Sequence, residues 1–340
     1  MNPLECAILV LTTTQLDEKN NPMKNVVVTG GAGLIGSQLT EILLNKGYKV
    51  ICIDNFISGS HEAIKSFMNN ENFTLLEHDV TKELPLIDVH IDWVFHLASP
   101  ASPNHNSPIS YHSLPMETMM VNTTGTKLML EFALKHNARF LFASTSEIYG
   151  DPLEHPQKEI YNGNVSSTGP RSIYDEAKRF GETLTAYYAR EKNLDARIVR
   201  IFNTYGPGMR KDDQRMIVNF ILQALRGDDV TIYGDGNQTR SLSYVKDTAQ
   251  GLFTYMEKDN LKGEIINIGA QNEHTVNEYA NMVLKITGSR SKIIYTDEVK
   301  DDPQRRQPDI TKAKQLLNWE PTTPLEDGLK ETIKYYEMEI

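Results

Sequence analysis

Tyr174 and Lys178 stand four residues apart, so on a helix their side chains share one face. A phenol takes a proton near neutrality only if its pKa falls from about 10, and a fall to neutrality requires roughly 4 kcal/mol in favour of the tyrosinate. A neighbouring ammonium and the positive ring of a nicotinamide are the two groups that can supply it. Spacing alone means little, because Tyr188 and Lys192 repeat it fourteen residues on, roughly 21 Å further along the same helix. That second pair reads as surface decoration. Only the first lies near the carboxyl ends of the strands, where open α/β sheets bind ligands.

Ser144, Thr145, Ser146 and Glu147 follow the strand-like run RFLFA and reach the same edge. Small hydroxyls hydrogen-bond a sugar oxygen and the tyrosine hydroxyl, while Glu147 adds a carboxylate. The plainer alternative is a set of polar residues capping a turn. A third pattern concerns a cofactor. TGGAGLIGS, residues 29–37, sets Gly30, Gly33 and Gly36 directly after the apolar run NVVV. Such glycines allow a tight turn and let a pyrophosphate approach the N–H groups of a helix start. Asp54 ends the next run, KVICID. A carboxylate there accepts hydrogen bonds from adenosine ribose hydroxyls and repels a 2′-phosphate; with no arginine beside it, the preference is for NAD over NADP. Asp79, ending a third run, is a candidate for the adenine edge or a plain strand-end aspartate.

Positioning these groups requires a sheet. Strands are predicted at 25–30, 49–54, 73–80, 92–99, 139–150, 196–204 and 264–269, where Val, Ile, Leu and Phe are nearly continuous, as in strands buried on both faces. Helical periodicity is clearest at 33–46, 117–136, 174–192 and 216–226. The alternation implies an α/β fold, a doubly wound parallel sheet of Rossmann type. After residue 205 the rhythm loosens through RKDDQR, YGDGNQTR and DDPQRRQPD. A smaller, irregular C-terminal substrate domain is therefore expected from 205–243 plus 270–340, beside an NAD-binding domain from 23–204 plus 244–269. Residues 1–22 read as a flexible extension.

The balance of 35 Lys and Arg against 45 Asp and Glu gives a net charge of −10. That argues against nucleic acid or an anionic membrane as the partner, since both reward basic surfaces; a small anionic substrate needs only a local cluster of cations. Two cysteines, Cys6 and Cys52, make neither a disulfide framework nor a cysteine zinc site, and they fit a reducing cytoplasm. The histidines show no metal-ligand spacing, so no metal is expected. No apolar run has the length a membrane span needs.

TGGAGLIGS, HLASPASP (96–103), STSEIYGDP (144–152), YDEAKRFGET (174–183), RIFNTYGP (200–207), GDGNQTRSLSYV (234–245) and DDPQRRQPDITKAK (301–314) together resemble the UDP-glucuronate decarboxylases (UDP-xylose synthases) of the extended short-chain dehydrogenase/reductase superfamily. The resemblance runs from Met23 to the C-terminus. It implies conversion of UDP-glucuronate to UDP-xylose with recycled NAD, through a transient 4-keto sugar whose carbonyl is β to the C6 carboxylate. Thr145, Tyr174 and Lys178 would be the oxidoreductase triad, and Ser146 with Glu147 the decarboxylation pair. Arg240 would meet substrate or relay a proton, Arg215 would lie near cofactor or substrate, and Asn203 would touch substrate. Around the cofactor the resemblance implies Gly30, Gly33, Leu34, Ile35 and Gly36 in the first turn. After the second strand it adds Asp54, Asn55, Phe56, Ser58 and Gly59, and beyond these Asp79, Val80, Leu97 and Ser99.

Three rivals remain. A nucleotide-sugar 4,6-dehydratase must expel a hydroxyl from C6, and relatives of that type usually carry Asp where this chain has Ser146. A 4-epimerase needs no acid–base group at C5 and would leave Glu147 idle. A non-catalytic NAD-binding sensor often loses the tyrosine or the lysine. The chain also departs from the family it resembles. Met120 stands where a lysine is usual, Gly208 replaces the arginine of GPRM with Arg210 nearest, and the loop 104–116 is longer. Arg305 and Arg306, flanked by Asp301, Asp302 and Asp309, read as nucleotide contacts or as a tie within the small domain, with the tie preferred. By resemblance, helices 117–136 and 174–192 pair two copies into a homodimer.

Overall fold

The computed structural model describes residues 23–297 and 304–340; the expected extension 1–22, Asp301 and Asp302 lie outside the described residues. Seven strands form one parallel sheet. Six of them are β1 (Asn25–Thr29), β2 (Lys49–Asp54), β3 (Phe73–Glu77), β4 (Trp93–His96), β5 (Arg139–Thr145) and β6 (Ala196–Ile201). The seventh, Ile265–Ile268, sits beyond β6, and the order runs from it through β6, β5, β4, β1 and β2 to β3. The direction of winding reverses between β1 and β4, which opens a crevice at their carboxyl ends.

The continuous apolar runs have a direct cause. Alternate residues of a strand face opposite sides, and both sides of this sheet are covered. Val26 and Val28 pack with Leu39, Leu43 and Phe253 on one face, while Val27 packs with Val94, Leu130 and Phe140 on the other. Four strands stop three or more residues earlier than expected, at Glu77, His96, Thr145 and Ile201. At β5 the reason is local: the Thr145 hydroxyl accepts the Glu147 N–H at 3.2 Å, and Ser146–Tyr149 coils into a 3₁₀ turn. The strand thus ends inside STSE, at Thr145, and a turn begins at Ser146. That turn aims Glu147 across the edge of the sheet.

The expected helices are present. Leu34–Asn45 is α1, Ser172–Glu191 covers the Tyr174 region, and Met216–Arg226 follows β6. The stretch 115–136 is helical but carries a π turn at Val121–Gly125. A second core holds Phe220, Ile221, Tyr279, Val283, Ile333 and Tyr336. Ile310, Ala313, Leu317 and Trp319 instead pack into the sheet's own core with Ile266 and Ile268. No helix among the described residues is long and apolar enough to cross a membrane.

Candidate active site

The crevice begins at the turn between β1 and α1. Gly30 has φ 70° and a Cβ on it would lie 2.7 Å from the Ala98 nitrogen. A Cβ on Gly36 would collide with the Gly30 carbonyl. Both positions therefore exclude any side chain. Gly33 precedes α1 without a side-chain cap, so the amino end of the helix is left to a ligand. At the end of β2, Asp54 is fixed by the backbone: its Oδ2 accepts the Ala32 N–H at 3.0 Å and its Oδ1 the Phe56 N–H at 2.8 Å. Burial pushes this carboxyl up, and those N–H groups pull it back. Glycine cradle, open helix end and anchored carboxylate fit a dinucleotide.

Asn55, Ser58, Gly59, Asp79 and Val80 line the same side, around a cavity of about 330 Å³. The Asp79 carboxylate already accepts the Thr81 N–H at 2.9 Å. Phe56 is the exception among the expected cofactor contacts. Its backbone is left-handed at φ 58°, its ring stacks on His61 at 3.7 Å, and it lines neither this cavity nor the next. It serves Asp54 through its N–H alone.

Gly30, Gly33, Leu97 and Ser99 line both this cavity and a larger one of about 440 Å³. The larger one brings together Leu34, Ile35 and Gly36 with Thr145, Glu147, Tyr174, Lys178, Asn203, Arg215 and Arg240. Lys178 donates from Nζ to the Ala143 carbonyl at 2.7 Å, and Nζ lies 5.7 Å from the centre of the Tyr174 ring. Burial lowers Lys178 to about 7. Burial also raises Tyr174 to about 12, against the Thr145 hydroxyl and the charge of Arg215. The lysine alone thus does not make this phenol acidic. Desolvation outweighs both the hydroxyl and that charge.

Glu147 is the centre of a charged wall. Its carboxylate pairs tightly with Arg171 and lies 3.4 Å from Arg306 Nη2. Burial favours the neutral acid, but Arg306 and then Arg171 hold Glu147 down at about 2. Arg306, which is 2% exposed, also donates to the Ser146 carbonyl and to the Gly150 carbonyl, the latter at 3.0 Å. Arg240 donates to its neighbour's carbonyl, Thr239 O, at 2.8 Å, and its charge adds to the hold on Glu147. Arg215 pairs with Asp213 at 3.0 Å. Ser146 is not brought to the cavity; it is 1% exposed and lines neither space.

Sequence reasoning missed four members of this wall. Arg306 was expected as a tie and is instead a partner of Glu147. Arg171 and Asp175 flank Tyr174 on the same helix turn, a signal that was open to reading. Tyr111 stacks on Tyr174, ring centres 5.0 Å apart and planes 9° from parallel. It comes from the long loop, which is clamped down where Ser102 and Asn104 each donate, at 2.7 Å, to the carbonyls of Asp213 and Gln214. Met120, where a cation was missed, lines the cofactor side, whereas Gly208 and Arg210 line the larger cavity. Among the described residues no group of His, Cys, Asp and Glu is arranged to hold a metal.

Residues 26–269 match the NAD dependent epimerase/dehydratase family. UDP-glucuronic acid decarboxylase 1 of Danio rerio is 45% identical, over 96% of this chain and 75% of its own. UDP-glucuronic acid decarboxylase 6 of Arabidopsis thaliana is also 45% identical, over 94% of this chain and 93% of its own. Among solved structures, UDP-glucuronic acid 4-epimerase of Bacillus cereus, in complex with UDP-glucuronic acid and NAD, superposes with a TM-score of 0.81 at 29% identity, covering 93% of this chain and 100% of that one.

Proposed function

The chain belongs to the NAD dependent epimerase/dehydratase family, and we propose that within it this protein is a UDP-glucuronate decarboxylase that forms UDP-xylose. One observation favours this reading over a dehydratase: the residue beside Glu147 is Ser146, which offers no carboxylic acid, and Glu147 itself is ion-paired with Arg171 and Arg306. A dehydratase needs a protonated acid to expel the C6 hydroxyl. Decarboxylation needs none, because carbon dioxide leaves without its proton.

Each residue then has a task. Tyr174 takes the proton of the C4 hydroxyl, with Thr145 hydrogen-bonding the same oxygen. Lys178, anchored on β5 through the Ala143 carbonyl, stands beside the phenol. Bound NAD would supply the reversible oxidation at C4 that sets a ketone β to the carboxylate. Glu147 and the turn begun at Ser146 orient the sugar ring. Arg240 and Arg215, with Asn203, receive the anionic nucleotide end, and such fixed charges in a dry cavity are stronger than in water. The crevice residues from Gly30 to Gly36, with Asp54 and Asp79, hold the dinucleotide.

The division into a cofactor part, 23–204 plus 244–269, and a nucleotide-sugar part, 205–243 plus 270–340, belongs to the same proposal. So do a homodimer and a cytoplasmic setting. Leu134, Phe180 and Tyr187, exposed on helices 126–136 and 172–191, support the pairing, and the scarcity of cysteine supports a reducing compartment. Mass spectrometry of the reaction tests the function. Loss of carbon dioxide from UDP-glucuronate, without lasting reduction of the nicotinamide, is the expected result. Loss of water from a UDP-hexose, or a new sugar of unchanged mass, would assign the chain to a rival activity.

A further inference from the structure

We propose that Arg210 is a latch that retains the dinucleotide, holding the loop after β2 against Asp54 at the adenosine ribose. This positioning role rests on the recycling of NAD and not on which sugar is processed. The chemistry calls for retention. Hydride leaves C4 for the nicotinamide early in the cycle and returns to the same carbon at its end. The reduced dinucleotide must therefore stay in place between the two transfers. If it escapes, nothing remains to reduce the ketone, and the turnover ends as a free 4-keto sugar.

The loop 55–60 closes directly on the ribose carboxylate. The Ala32 N–H donates to Asp54 Oδ2 at 3.0 Å, and the Ser60 N–H donates to the Ala32 carbonyl at 3.0 Å. Loop, carboxylate and glycine turn are thus tied to one another. Gly59 packs against all of them: a Cβ there would lie 2.9 Å from Asp54 Oδ1 and 3.1 Å from the Ala32 Cβ. Between Asn55 and Ser60 the loop has no lysine or arginine of its own. Arg210 reaches it from 151 residues away, where Nη1 donates to the Gly59 carbonyl at 3.0 Å. Nε and Nη2 of the same guanidinium grip the two oxygens of Asp212 at 2.9 and 2.6 Å. A two-pronged pair of this kind fixes the plane of the guanidinium, which leaves its third nitrogen aimed at Gly59.

Arg210 is itself carried on a segment that is held down. Ser107, Ser102 and Asn104 of the long loop donate to the successive carbonyls of Asp212, Asp213 and Gln214, at 2.5, 2.7 and 2.7 Å. Ser102 and Ser107 are buried, so these bonds are shielded from water. The backbone that bears the latch is therefore fixed on the same side of the chain as the loop it closes. Arg210 also lines the larger cavity, which offers a rival task, direct contact with the substrate's phosphates. The two roles differ in which ligand is lost when the guanidinium is removed.

The test uses the full chain purified with its NAD. After desalting, wild type is expected to keep its dinucleotide and Arg210→Met to lose most of it. Exchange of bound NAD for an isotopically labelled NAD should run about tenfold faster in the variant, which corresponds to about 1.4 kcal/mol. Added NAD should restore turnover, with the KM for UDP-glucuronate within about twofold of wild type. Arg210→Lys can reach the Gly59 carbonyl but cannot grip both oxygens of Asp212, so its exchange rate should fall in between. A merely structural role would lower the melting temperature of the NAD-free chain and give a loss of turnover that added NAD does not reverse. An unchanged exchange rate in Arg210→Met overturns the proposal. So does a raised KM for UDP-glucuronate with NAD retained, which would assign Arg210 to the substrate. If Arg210→Met does not fold, Asp212→Asn, which leaves the guanidinium ungripped, decides by the same exchange rate. A wild-type chain that keeps NAD yet does not act on UDP-glucuronate sinks the decarboxylase reading and leaves the latch standing, so the two failures are told apart.

Discussion

Two tyrosine–lysine pairs with identical spacing lie along one helix, and only the first reaches the cavity. Tyr174 and Lys178 are both buried, 6% and 3% exposed, and Lys178 spends a hydrogen bond on the Ala143 carbonyl of β5. Tyr188 is buried as well, at 7%. Its partner Lys192 is exposed at the end of the helix, and its Nζ lies 5.9 Å from the ring of Tyr187, not that of Tyr188. The spacing puts two side chains on one face in both cases. What differs is the surroundings. A strand carbonyl and a dry cavity draw Lys178 in and lower it to about 7, whereas Lys192 stays in water. A short pattern becomes chemistry only where the sheet edge meets it.

The sharpest way to break the comparison is Tyr174→Phe. Turnover is expected to fall by about 10³-fold or more, while bound NAD and melting temperature stay as in wild type. Retained turnover would remove Tyr174 as the base and make the two pairs equivalent. Glu147→Gln is expected to have the next largest effect, about 10²-fold on turnover, with a 4-keto sugar accumulating. It also carries a pH signature. Glu147 is held at about 2 when folded against a usual 4.5, so its ion pairs stabilise the fold above pH 4.5 and that contribution is lost as pH falls from there to about 2. Melting temperature should therefore drop more steeply across this window in wild type than in Glu147→Gln. Equal slopes would show that Arg171 and Arg306 do not hold the carboxylate as described.

How much of this was legible beforehand follows from where each contact comes from. The strands were legible because a sheet covered on both faces leaves continuous apolar runs, as at Val26, Val27 and Val28. The Gly30–Gly36 turn and Asp54 were legible because a dinucleotide needs close backbone and an anchored carboxylate. The end of β5 was not: the turn after Thr145 is marked by the hydrogen bond that the Glu147 N–H donates to the Thr145 hydroxyl, a contact that apolar patterning does not reveal. Nor was the wall around Glu147. Arg306 is separated from it by 159 residues, and no spacing rule links a β5 turn to a strand near the C-terminus. Its neighbours in RRQPD suggested a tie within the small domain, and only the fold shows the guanidinium buried. Phe56 is a different case. It sits in the right stretch, yet a left-handed backbone turns its ring onto His61.

The smallest expected effect sharpens the comparison most, because it tests the half that should be silent. Tyr188→Phe and Lys192→Met should each leave turnover within about twofold of wild type. Lys192 is a solvated cation, and substitutions at such sites usually stay within about 0.5 kcal/mol. Tyr188 lies beside Glu131 and Lys127, and burial raises it along with the charge of Glu131, so its hydroxyl is a neutral group packed against the neighbouring helix. Losing that hydroxyl is expected to move melting temperature slightly and the pH dependence of turnover not at all. A pH–rate profile distinguishes the two pairs directly: variants at 174 and 178 should change its shape, and variants at 188 and 192 should leave the curve superimposable on wild type. A shift of the profile in Tyr188→Phe would mean that the far end of the helix is electrically coupled to the cavity, and that burial of Lys178 is not what sets the first pair apart.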